Sequence, residues 1–368
     1  MQKDNIVNIG KTKNIGILMP TLDRPQMVQR ALNYYCRSGF KGTVYLGDSS
    51  KQFRNEMLNI SERFSNSNKL KVKYYFLCPE EYSSATTFKY LVETSDEPYL
   101  CYAGDDDFQV TESLNHCASF LENNDDYSGC HGFRLEFELD SFNEITNVRK
   151  PKDAFLDTDI ILKRIFGYLK NSLSPQYYLF RRSAFERAYR DVVKVETRFI
   201  LEEVLPCILL CSSGKIRYLD NPQVFFQIYS PVCDPRTLSF NRQTIFDIMR
   251  TKDFDKSIKI AARSIQDQIK AVGSEKEAEM MVYYHLGLIV NEQMNNHIKV
   301  YFKKNRMEEE NIDKQNLQFP FVNRDYSFKR LLFKIFPLLF MPFKRKNRLF
   351  ENEKYKKLVA MALLEADQ

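Results

Sequence analysis

Three consecutive carboxylates, Asp105, Asp106 and Asp107, follow the short apolar run YLCYAG at 99–104. Adjacent carboxylates repel one another, and a hard divalent cation such as Mg²⁺ or Mn²⁺ offsets that repulsion because it takes oxygen ligands. Aspartate is also a common turn residue, so a solvated turn is the alternative for an isolated cluster. Because this aspartate cluster follows a strand that reads as buried, we favour a metal site.

The cluster needs rigid elements to position it, and the first hundred residues alternate apolar strands with amphipathic helices. Strands are predicted at 14–21, 43–50, 71–79 and 98–104, and helices at 25–35, 53–64 and 88–95. This alternation predicts a parallel sheet with helices on its faces. Ligands bind such sheets at the carboxyl ends of the strands. Three polar clusters fall there, at 21–24, 48–50 and 105–107, and we expect them to be neighbours in space.

The remainder of the chain has a mixed pattern. Further strands are predicted at 130–140, 176–182 and 216–220, and helices at 156–169, 198–214, 256–272 and 275–294. Glycine becomes rare beyond Arg236, where long helical segments take over. We therefore expect a main α/β domain at 1–236, a helical domain at 237–325 and a basic amphipathic C-terminal segment at 326–368.

Composition excludes several classes of protein. The chain has 368 residues. Its eight cysteines show no CxxC spacing, and no secretory signal peptide is recognised in the sequence. We therefore expect a cytoplasmic protein with reduced thiols. No apolar run reaches the roughly 18–20 residues of a membrane-spanning helix. The net charge is +6, and 326–350 carries seven basic and no acidic residues. Nucleic-acid proteins spread basic charge over a binding face, so we expect no nucleic-acid partner.

Three segments together resemble a known enzyme family in order and spacing. ILMPTLDRPQMVQRALNYY resembles the opening of the inverting glycosyltransferases of family 2, in particular the bacterial branch that decorates surface polysaccharides. VYLGDSS is similar to their second strand, and YLCYAGDDDF is similar to the strand that carries their DXD metal motif. LEEVLPCILLCSSGKIRYLDNP is a weaker match to their acidic helix and the strand after it. The resemblance implies a GT-A fold, a Rossmann-like mixed α/β sheet flanked by helices, with 1–236 as the nucleotide-sugar-binding catalytic domain.

The family resemblance also implies residue roles at the nucleotide end. In these enzymes the turn after the first strand contacts the base and ribose, which implies that role for Pro20, Thr21, Asp23 and Arg24. The second-strand aspartate often hydrogen-bonds uracil, and Asp48 holds its place here.

The aspartate cluster is implied to bind the ribose and, through Mn²⁺ or Mg²⁺, the diphosphate of the donor. Asp107 is the predicted direct metal ligand with Asp105 beside it, and Asp105 and Asp106 also contact the donor. The cation would neutralise charge that grows on the leaving nucleoside diphosphate.

Inverting transfer also requires a general base that deprotonates the acceptor hydroxyl. The family uses an acidic pair on a later helix, and Glu202 and Glu203 occupy it here, with Glu203 favoured by the alignment. Acidic side chains are also common near the positive end of a helix dipole, so a solvated helix terminus is the alternative.

The sequence departs from the family pattern at several positions. Gly47 replaces the first aspartate of the usual second-strand pair and Ser49 the usual glycine, so uracil specificity is less secure than binding of a sugar nucleotide. Lys89 stands in for an arginine near the base or diphosphate, although it fits a solvated helix lysine equally. Arg236 lies in SPVCDPRTLS, which takes the place of a loop that closes on the diphosphate.

The segment at 328–350, here called the basic segment, alternates Phe and Leu with Lys and Arg and is interrupted by Pro337 and Pro342. Apolar area combined with positive charge suits an anionic membrane surface, with each basic residue contributing about 1 kcal/mol. Packing of its apolar side on the protein is the alternative. We expect peripheral attachment to the inner face of the cell membrane, where a lipid-linked glycan acceptor would lie.

The sequence therefore predicts a metal-dependent, inverting glycosyltransferase that moves a sugar from a nucleotide-diphosphate donor, a UDP-sugar by preference, to a hydroxyl of a bacterial surface glycan. Two alternatives stay open. A sugar-1-phosphate nucleotidyltransferase would need a glycine- and arginine-rich phosphate loop, which PTLDRPQ does not supply. A non-catalytic carbohydrate-binding or scaffold protein of a polysaccharide assembly complex is the other, because glutamate at both acidic positions is unusual.

Overall fold

The computed structural model describes residues 14–67, 69–139, 144–151, 156–171, 174–194, 199–228, 249–304 and 353–367. In the last two ranges, side chains are described for 249–290 and 355–364. Arg236, the predicted domain boundary and the basic segment lie outside these residues. Their predicted roles stay predictions.

Nine strands of the described residues form one sheet, with the order β3-β2-β1-β4-β8-β6-β9-β5 and β7 paired to β6. The strands are β1 (Ile15–Thr21), β2 (Thr43–Asp48), β3 (Lys71–Phe76), β4 (Tyr99–Tyr102), β5 (Phe108–Gln109), β6 (Tyr127–Leu139), β7 (Ile145–Arg149), β8 (Leu179–Arg181) and β9 (Lys215–Ile228). The first four are mutually parallel, whereas β8 runs antiparallel to both β4 and β6. The mixed α/β sheet predicted from the sequence is confirmed.

Helices cover the sheet. They are α1 (Pro25–Arg37), α2 (Arg54–Asn66), α3 (Ser84–Thr94), α4 (Thr111–Glu122), α5 (Ile161–Asn171), α6 (Arg182–Tyr189), α7 (Leu205–Ser212), α8 (Phe254–Gln268), α9 (Glu275–Lys304) and α10 (Glu353–Asp367). A 3₁₀ turn spans Pro175–Tyr177, and a π-helical turn spans Ile200–Val204 directly before α7. Strand–helix alternation through α3 is as predicted, while the predicted set lacked α4, α6 and α10.

Two hydrophobic layers hold the sheet from opposite sides. One contains Leu18 and Leu100 from the sheet together with α3, α5, α6, α7, α8 and the first part of α9; Ile258 and Leu286 are two of its buried members. The other contains Ile17 from the sheet together with α1, α2, α4 and α10. The C-terminal helices therefore share cores with the sheet, so both layers depend on residues far apart in sequence.

The register of β1 and β2 brings two predicted polar clusters together. Thr21 lies opposite Asp48, the last residue of β2, and the backbone N–H of Ser49 donates to the carbonyl of Thr21 at 3.0 Å. Gly47 permits close helix packing here, because a Cβ at this position would lie 2.8 Å from Cγ2 of Thr87 on α3. The glycine that departs from the family pattern thus lets α3 pack closely on β2.

Strand β9 is longer than the five-residue strand predicted at 216–220. Asn221 and Pro222 suggest a turn in the sequence, but Pro222 pairs with Phe133 of β6 at an irregular step in the register, where a proline in a strand is tolerated. The strand then continues to Ile228 and brings Phe226 and Gln227 to the edge of the sheet where β1 and β4 end.

Candidate active site

The carboxyl ends of β1 and β4 meet at the aspartate cluster. The hydroxyl of Thr21 donates to Oδ2 of Asp105 at 2.7 Å, and the backbone N–H of Ala103 donates to the carbonyl of Leu18 at 3.1 Å. Two predicted site residues more than 80 positions apart in sequence are thus directly bonded. The prediction that the strand-end clusters are neighbours is confirmed.

Arg24 supplies positive charge to two members of the cluster. Its Nη1 lies 2.7 Å from Oδ1 of Asp105 and its Nη2 lies 2.8 Å from Oδ2 of Asp106. Arg30, in the second turn of α1, donates to the backbone carbonyl of Asp106 at 3.3 Å and to the side-chain oxygen of Gln227. Guanidinium groups pair strongly with carboxylates because the charge assists the hydrogen bonds. Within the described residues, arginine side chains therefore offset the repulsion between the first two aspartates.

Asp107 is tied to two other elements. Its Oδ2 accepts from the hydroxyl of Tyr177 at 2.6 Å, and its Oδ1 accepts from the backbone N–H of Gln227 on β9 at 2.9 Å. Gly104 makes room for this arrangement, because a Cβ there would lie 2.7 Å from Oδ1 of Asp106 and from Oδ2 of Asp107. The cluster thus fixes β9 and the 3₁₀ turn against the end of β4.

Burial dominates the electrostatics of the cluster. Burial raises the pKa of Asp105 to about 6, against the opposing effect of Arg24, and the charge of Asp106 adds to the increase. Burial also raises the pKa of Asp107 well above its usual value, again with help from Asp106, while the Tyr177 hydrogen bond opposes the shift. A cation that approached this corner would favour the ionised carboxylates.

Hydrogen bonds also fix the polar clusters at 21–24 and 48–50. Asp48 is fully buried, and its oxygens accept from the backbone N–H of Ser50 and from the hydroxyl of Tyr74, both at 2.8 Å. Asp23 has a positive φ of 51°. Its Oδ1 accepts from the backbone N–H groups of Lys51 and of the next residue, at 2.9 and 3.0 Å. These bonds connect the loop after β1 to the loop after β2.

The glutamate pair, Glu202 and Glu203, lies on the π-helical turn. The backbone N–H of Leu205 donates to the carbonyl of Ile200, five residues earlier. Pro206 has no N–H to give to the carbonyl of Glu202, and its ring clashes with that carbonyl in a regular α-helix. The proline therefore accounts for the wider turn, and such turns are frequent at functional sites.

The glutamate pair lines a pocket of about 130 Å³ at the same edge of the sheet. Five aromatic rings, three neutral polar side chains and a proline complete its walls: Phe88, Tyr102, Tyr177, Tyr189, Phe226, Ser84, Ser174, Gln176 and Pro20. The hydroxyl of Ser84 donates to Glu202. Glu203 is accessible from within the pocket, and no hydrogen bond to its carboxylate is found among the described residues.

The environment of Glu203 suits a proton acceptor. Desolvation by the surrounding protein, followed by the charge of Glu202, raises the pKa of Glu203 to about 8, although the residue keeps an exposed surface. A general base works best when its pKa lies near the operating pH. Glu203 thus combines accessible oxygens with a basicity well above that of an ordinary glutamate.

Tyr177 connects the aspartate cluster with the pocket. Its hydroxyl is bonded to Asp107, and the residue also lines the pocket beside the glutamate pair. The side-chain amides of Gln109 and Gln223 both donate to its backbone carbonyl, at 2.9 and 3.1 Å. This role of Tyr177 was not predicted from the sequence, because no local pattern relates a tyrosine at 177 to an aspartate 70 residues earlier.

Lys89 lies apart from the aspartates. Its Nζ donates to the carbonyls of Arg190 at 2.7 Å and Val192 at 3.3 Å, and it lies 4.0 Å from Glu93. These contacts hold the end of α6 against α3. In this structure Lys89 therefore has a structural role between α3 and the end of α6.

The chemistry of the aspartate cluster suits a hard cation. Carboxylate oxygens are the donors that Mg²⁺ prefers, and it usually takes one or two of them together with water and phosphate oxygens. Asp106 is the most accessible of the three, with a side-chain exposure of 16%. Within the described ranges, no group of three or more His, Cys, Asp or Glu side chains is placed to hold a metal by protein ligands alone. The described part of the cluster therefore offers oxygen donors of the right chemistry for such a cation, but not a complete set of protein ligands.

Comparison with solved structures relates this architecture to known proteins. Residues 1–349 of TarS from S. aureus match with a TM-score of 0.51 and 11% identity, covering 96% of this chain and 88% of that one. The same protein in complex with UDP-GlcNAc matches with a TM-score of 0.53 and 12% identity, over the same shares. These neighbours are GT-A-type glycosyltransferases, and the chain has the GT-A fold. No protein-family model matches the chain, and no curated protein sequence matches it significantly.

Within the described residues, no helix is both long and apolar enough to cross a bilayer.

Proposed function

We propose that this protein is a glycosyltransferase that moves a sugar from a nucleoside-diphosphate donor to an acceptor hydroxyl with inversion at the anomeric carbon. The observation that carries the proposal is Glu203, a carboxylate with a pKa of about 8 and no hydrogen bond among the described residues, which lines an aromatic pocket at the edge of the GT-A sheet where β1 and β4 end. Pro20 and Tyr102 line the same pocket and belong to the strands that end at the aspartate cluster. A donor bound by the cluster would therefore place its sugar near Glu203.

In this proposal Glu203 is the general base. Its carboxylate takes the proton of the acceptor hydroxyl, and the hydroxyl oxygen attacks the anomeric carbon from the face opposite the diphosphate. The bond between that carbon and the diphosphate oxygen breaks, and the nucleoside diphosphate leaves with the electron pair. Glu202, which accepts from Ser84, helps to keep the pKa of Glu203 raised.

The nucleotide would lie across the loops after β1 and β2. We assign contacts with the base and ribose to Pro20, Thr21, Asp23 and Arg24, and a contact with the base to Asp48. Each carboxylate oxygen of Asp48 accepts one hydrogen bond and has a second lone pair, so a base N–H could share it.

Other residues would contact the ribose and diphosphate of the donor. Asp105 and Asp106 are assigned to the ribose and diphosphate, and Lys89 and Arg236 stay proposals as cationic partners. Lys89 would have to leave the carbonyls it now contacts.

We also propose that Mn²⁺ or Mg²⁺ binds with the donor, with Asp107 and Asp105 as its protein ligands. When bound, the cation supplies positive charge to the leaving diphosphate. Both oxygens of each carboxylate already accept a hydrogen bond, so metal binding would need these groups to share or exchange a partner. Arg24 contributes charge to the same corner with or without the metal.

A donor panel tests the proposal. Purified protein is incubated with UDP-, GDP- and dTDP-sugars and Mn²⁺ or Mg²⁺, and release of the nucleoside diphosphate is measured with and without EDTA. We expect release from at least one donor and its loss in Glu203→Gln. Full activity in EDTA would contradict the metal assignment.

The same panel separates the two alternatives. Formation of a nucleotide sugar from a sugar 1-phosphate and a nucleoside triphosphate would indicate a nucleotidyltransferase. Binding of a donor without release under any condition, including with acceptor glycans, would indicate a non-catalytic binding or scaffold protein.

The acceptor is proposed to be a bacterial surface glycan, such as capsule or O-antigen, carried on lipid at the cytoplasmic face of the membrane. The composition of the basic segment supports this, because its cations and apolar side chains suit an anionic surface. Removing residues 328–350 should abolish sedimentation with vesicles that contain anionic lipid. Equal sedimentation of the full chain and the deletion variant would overturn the membrane role.

A further inference from the structure

We propose that Tyr102 and Tyr189 determine which sugar is transferred, by donating hydrogen bonds from their phenolic hydroxyls to hydroxyl oxygens of the donor sugar. The inference rests on the proposed glycosyl transfer, because it concerns the sugar that would bind beside the glutamate pair. Both tyrosines line the pocket, and no hydrogen bond from either hydroxyl is found among the described residues. The roles assigned to Glu203 and the aspartate cluster leave sugar specificity open.

Other hydroxyls of the pocket wall are engaged within the protein. The hydroxyl of Ser84 donates to a glutamate of the pair, and that of Tyr177 donates to the aspartate cluster at 2.6 Å. Tyr102 and Tyr189 differ from them, because their hydroxyl oxygens are neither bonded to described residues nor sealed within the protein. Since both side chains line the pocket, these hydroxyls are left for its occupant.

Aromatic packing holds both tyrosines in place. The ring centre of Phe88 lies 5.4 Å from that of Tyr102 and 4.4 Å from that of Tyr189. Tyr102 also packs edge to face on Tyr177 at 4.7 Å, and Tyr189, which is only 2% exposed, stacks on Phe185 at 6.1 Å. Rings that are packed before a ligand arrives lose little freedom when it binds, so the two hydroxyls are preorganised.

The two phenols stay neutral and are therefore hydrogen-bond donors. Burial raises the pKa of each phenol well above its ordinary value, and the charge of Glu202 adds to the increase at both. Asp107 contributes at Tyr102 as well, which places this tyrosine within the influence of both acidic regions. A neutral phenol donates one hydrogen bond and can accept others. Each tyrosine thus offers one proton to a sugar oxygen beside the glutamate pair.

The size of the pocket suits one sugar ring. A volume of about 130 Å³ holds roughly ten waters at about 10–15 Å³ each, which is close to the atom count of a monosaccharide. A sugar that fills this space excludes water from the phenols and has to supply their hydrogen-bond acceptors. A sugar without a hydroxyl at the right position leaves a phenol unsatisfied, and such a loss discriminates more strongly than an apolar contact does.

Binding of deoxy donors to phenylalanine variants tests the inference. Tyr102→Phe and Tyr189→Phe each remove one hydroxyl and keep the ring. Calorimetry without an acceptor compares UDP-glucose with UDP and with analogues that each lack one sugar hydroxyl; GDP-mannose, its deoxy analogues and GDP form a second series. In a series whose nucleotide binds, each variant should weaken binding of the full nucleotide sugar about fivefold or more and leave the nucleotide alone within about twofold.

The deoxy analogues identify the partner of each hydroxyl. For one analogue, the loss caused by a given variant should disappear, because the sugar hydroxyl that accepts from that tyrosine is already missing. Tyr168→Phe is the matched control. Its hydroxyl lies 3.4 Å from Nε2 of His285 and the residue does not line the pocket, so this variant should bind the nucleotide sugars as the parent does.

Circular dichroism and melting curves establish that each variant is folded. If a nucleotide sugar binds to both pocket variants as tightly as to the parent, or if the losses are the same for every analogue, the inference is overturned and the proposed function stands. If neither nucleotides nor their sugars bind to the parent protein, the proposed donor site fails and the inference fails with it.

Discussion

The aspartate cluster and the glutamate pair are both acidic, but their surroundings differ. Five of the six carboxylate oxygens of the cluster lie within 3 Å of a hydrogen-bond donor. In contrast, no hydrogen bond to the carboxylate of Glu203 is found among the described residues. A paired carboxylate holds other groups in position. An unpaired one keeps its lone pairs for an incoming proton, at a cost in electrostatic free energy that appears as a raised pKa.

This contrast suggests a division of roles between binding and chemistry. The cluster links three chain segments through Arg24, Tyr177 and Gln227, so disturbing it should affect the structure around it. Glu203 makes no hydrogen bond within the part of the chain that the structure describes, so disturbing it should affect turnover more than stability. Substitutions at the two sites should therefore change different measurements.

The largest effect is expected for Glu203→Gln. Glutamine keeps the shape but cannot accept the acceptor proton, so kcat should fall by about 10²–10⁴-fold while the donor Kd changes little. Glu202→Gln is the matched control and should reduce kcat less, because Glu202 is already engaged by Ser84. Equal losses in both variants would show that the pair acts as a unit, and a loss below tenfold in Glu203→Gln would remove it as the base.

The next effect concerns stability at the cluster. Asp107→Ala leaves the Tyr177 hydroxyl and the Gln227 N–H without their acceptor, at about 1–3 kcal/mol for each buried group left unsatisfied. Denaturant unfolding measures this change. Glu203→Ala, at an accessible position, should stay within about 0.5 kcal/mol of the parent protein. Similar destabilisation by both substitutions would mean that the two acidic regions do not differ as described.

The parallel half of the sheet and its ligand edge could be predicted from the sequence. Apolar runs that end in PTLDR, GDSS and AGDDD locate β1, β2 and β4, and the rules of parallel sheets then bring Thr21 close to Asp105. The partners of Asp107 could not be predicted, because Tyr177 and Gln227 come from later strands and turns whose register depends on tertiary packing. Nor did the helical pattern around Pro206 reveal the π-helical turn, since one missing N–H leaves periodicity unchanged.

The pH dependence of turnover should also separate the two regions. Glu203 must be ionised to accept a proton, and its pKa is about 8, so kcat/KM should rise about tenfold per pH unit below 8 and level off above it. In Glu202→Gln the midpoint should move to lower pH, because the charge of Glu202 contributes to the raised pKa. A profile that is flat between pH 6 and 9 would contradict the assignment of Glu203 as base.

The smallest effect is expected for Tyr177→Phe, which removes one hydroxyl from the group that joins the two regions. The lost hydrogen bond to Asp107 should lower the free energy of unfolding by about 1 kcal/mol. Combining it with Asp107→Ala tests the link. Because residues in direct contact are coupled, the double variant should lose less free energy of unfolding than the two single variants lose together. Purely additive effects would show that the hydroxyl and the carboxylate act independently. If the effects are instead not additive, any accompanying loss of kcat would arise through Asp107, at the aspartate cluster, rather than from the shape of the pocket, because the ring stays in the pocket wall.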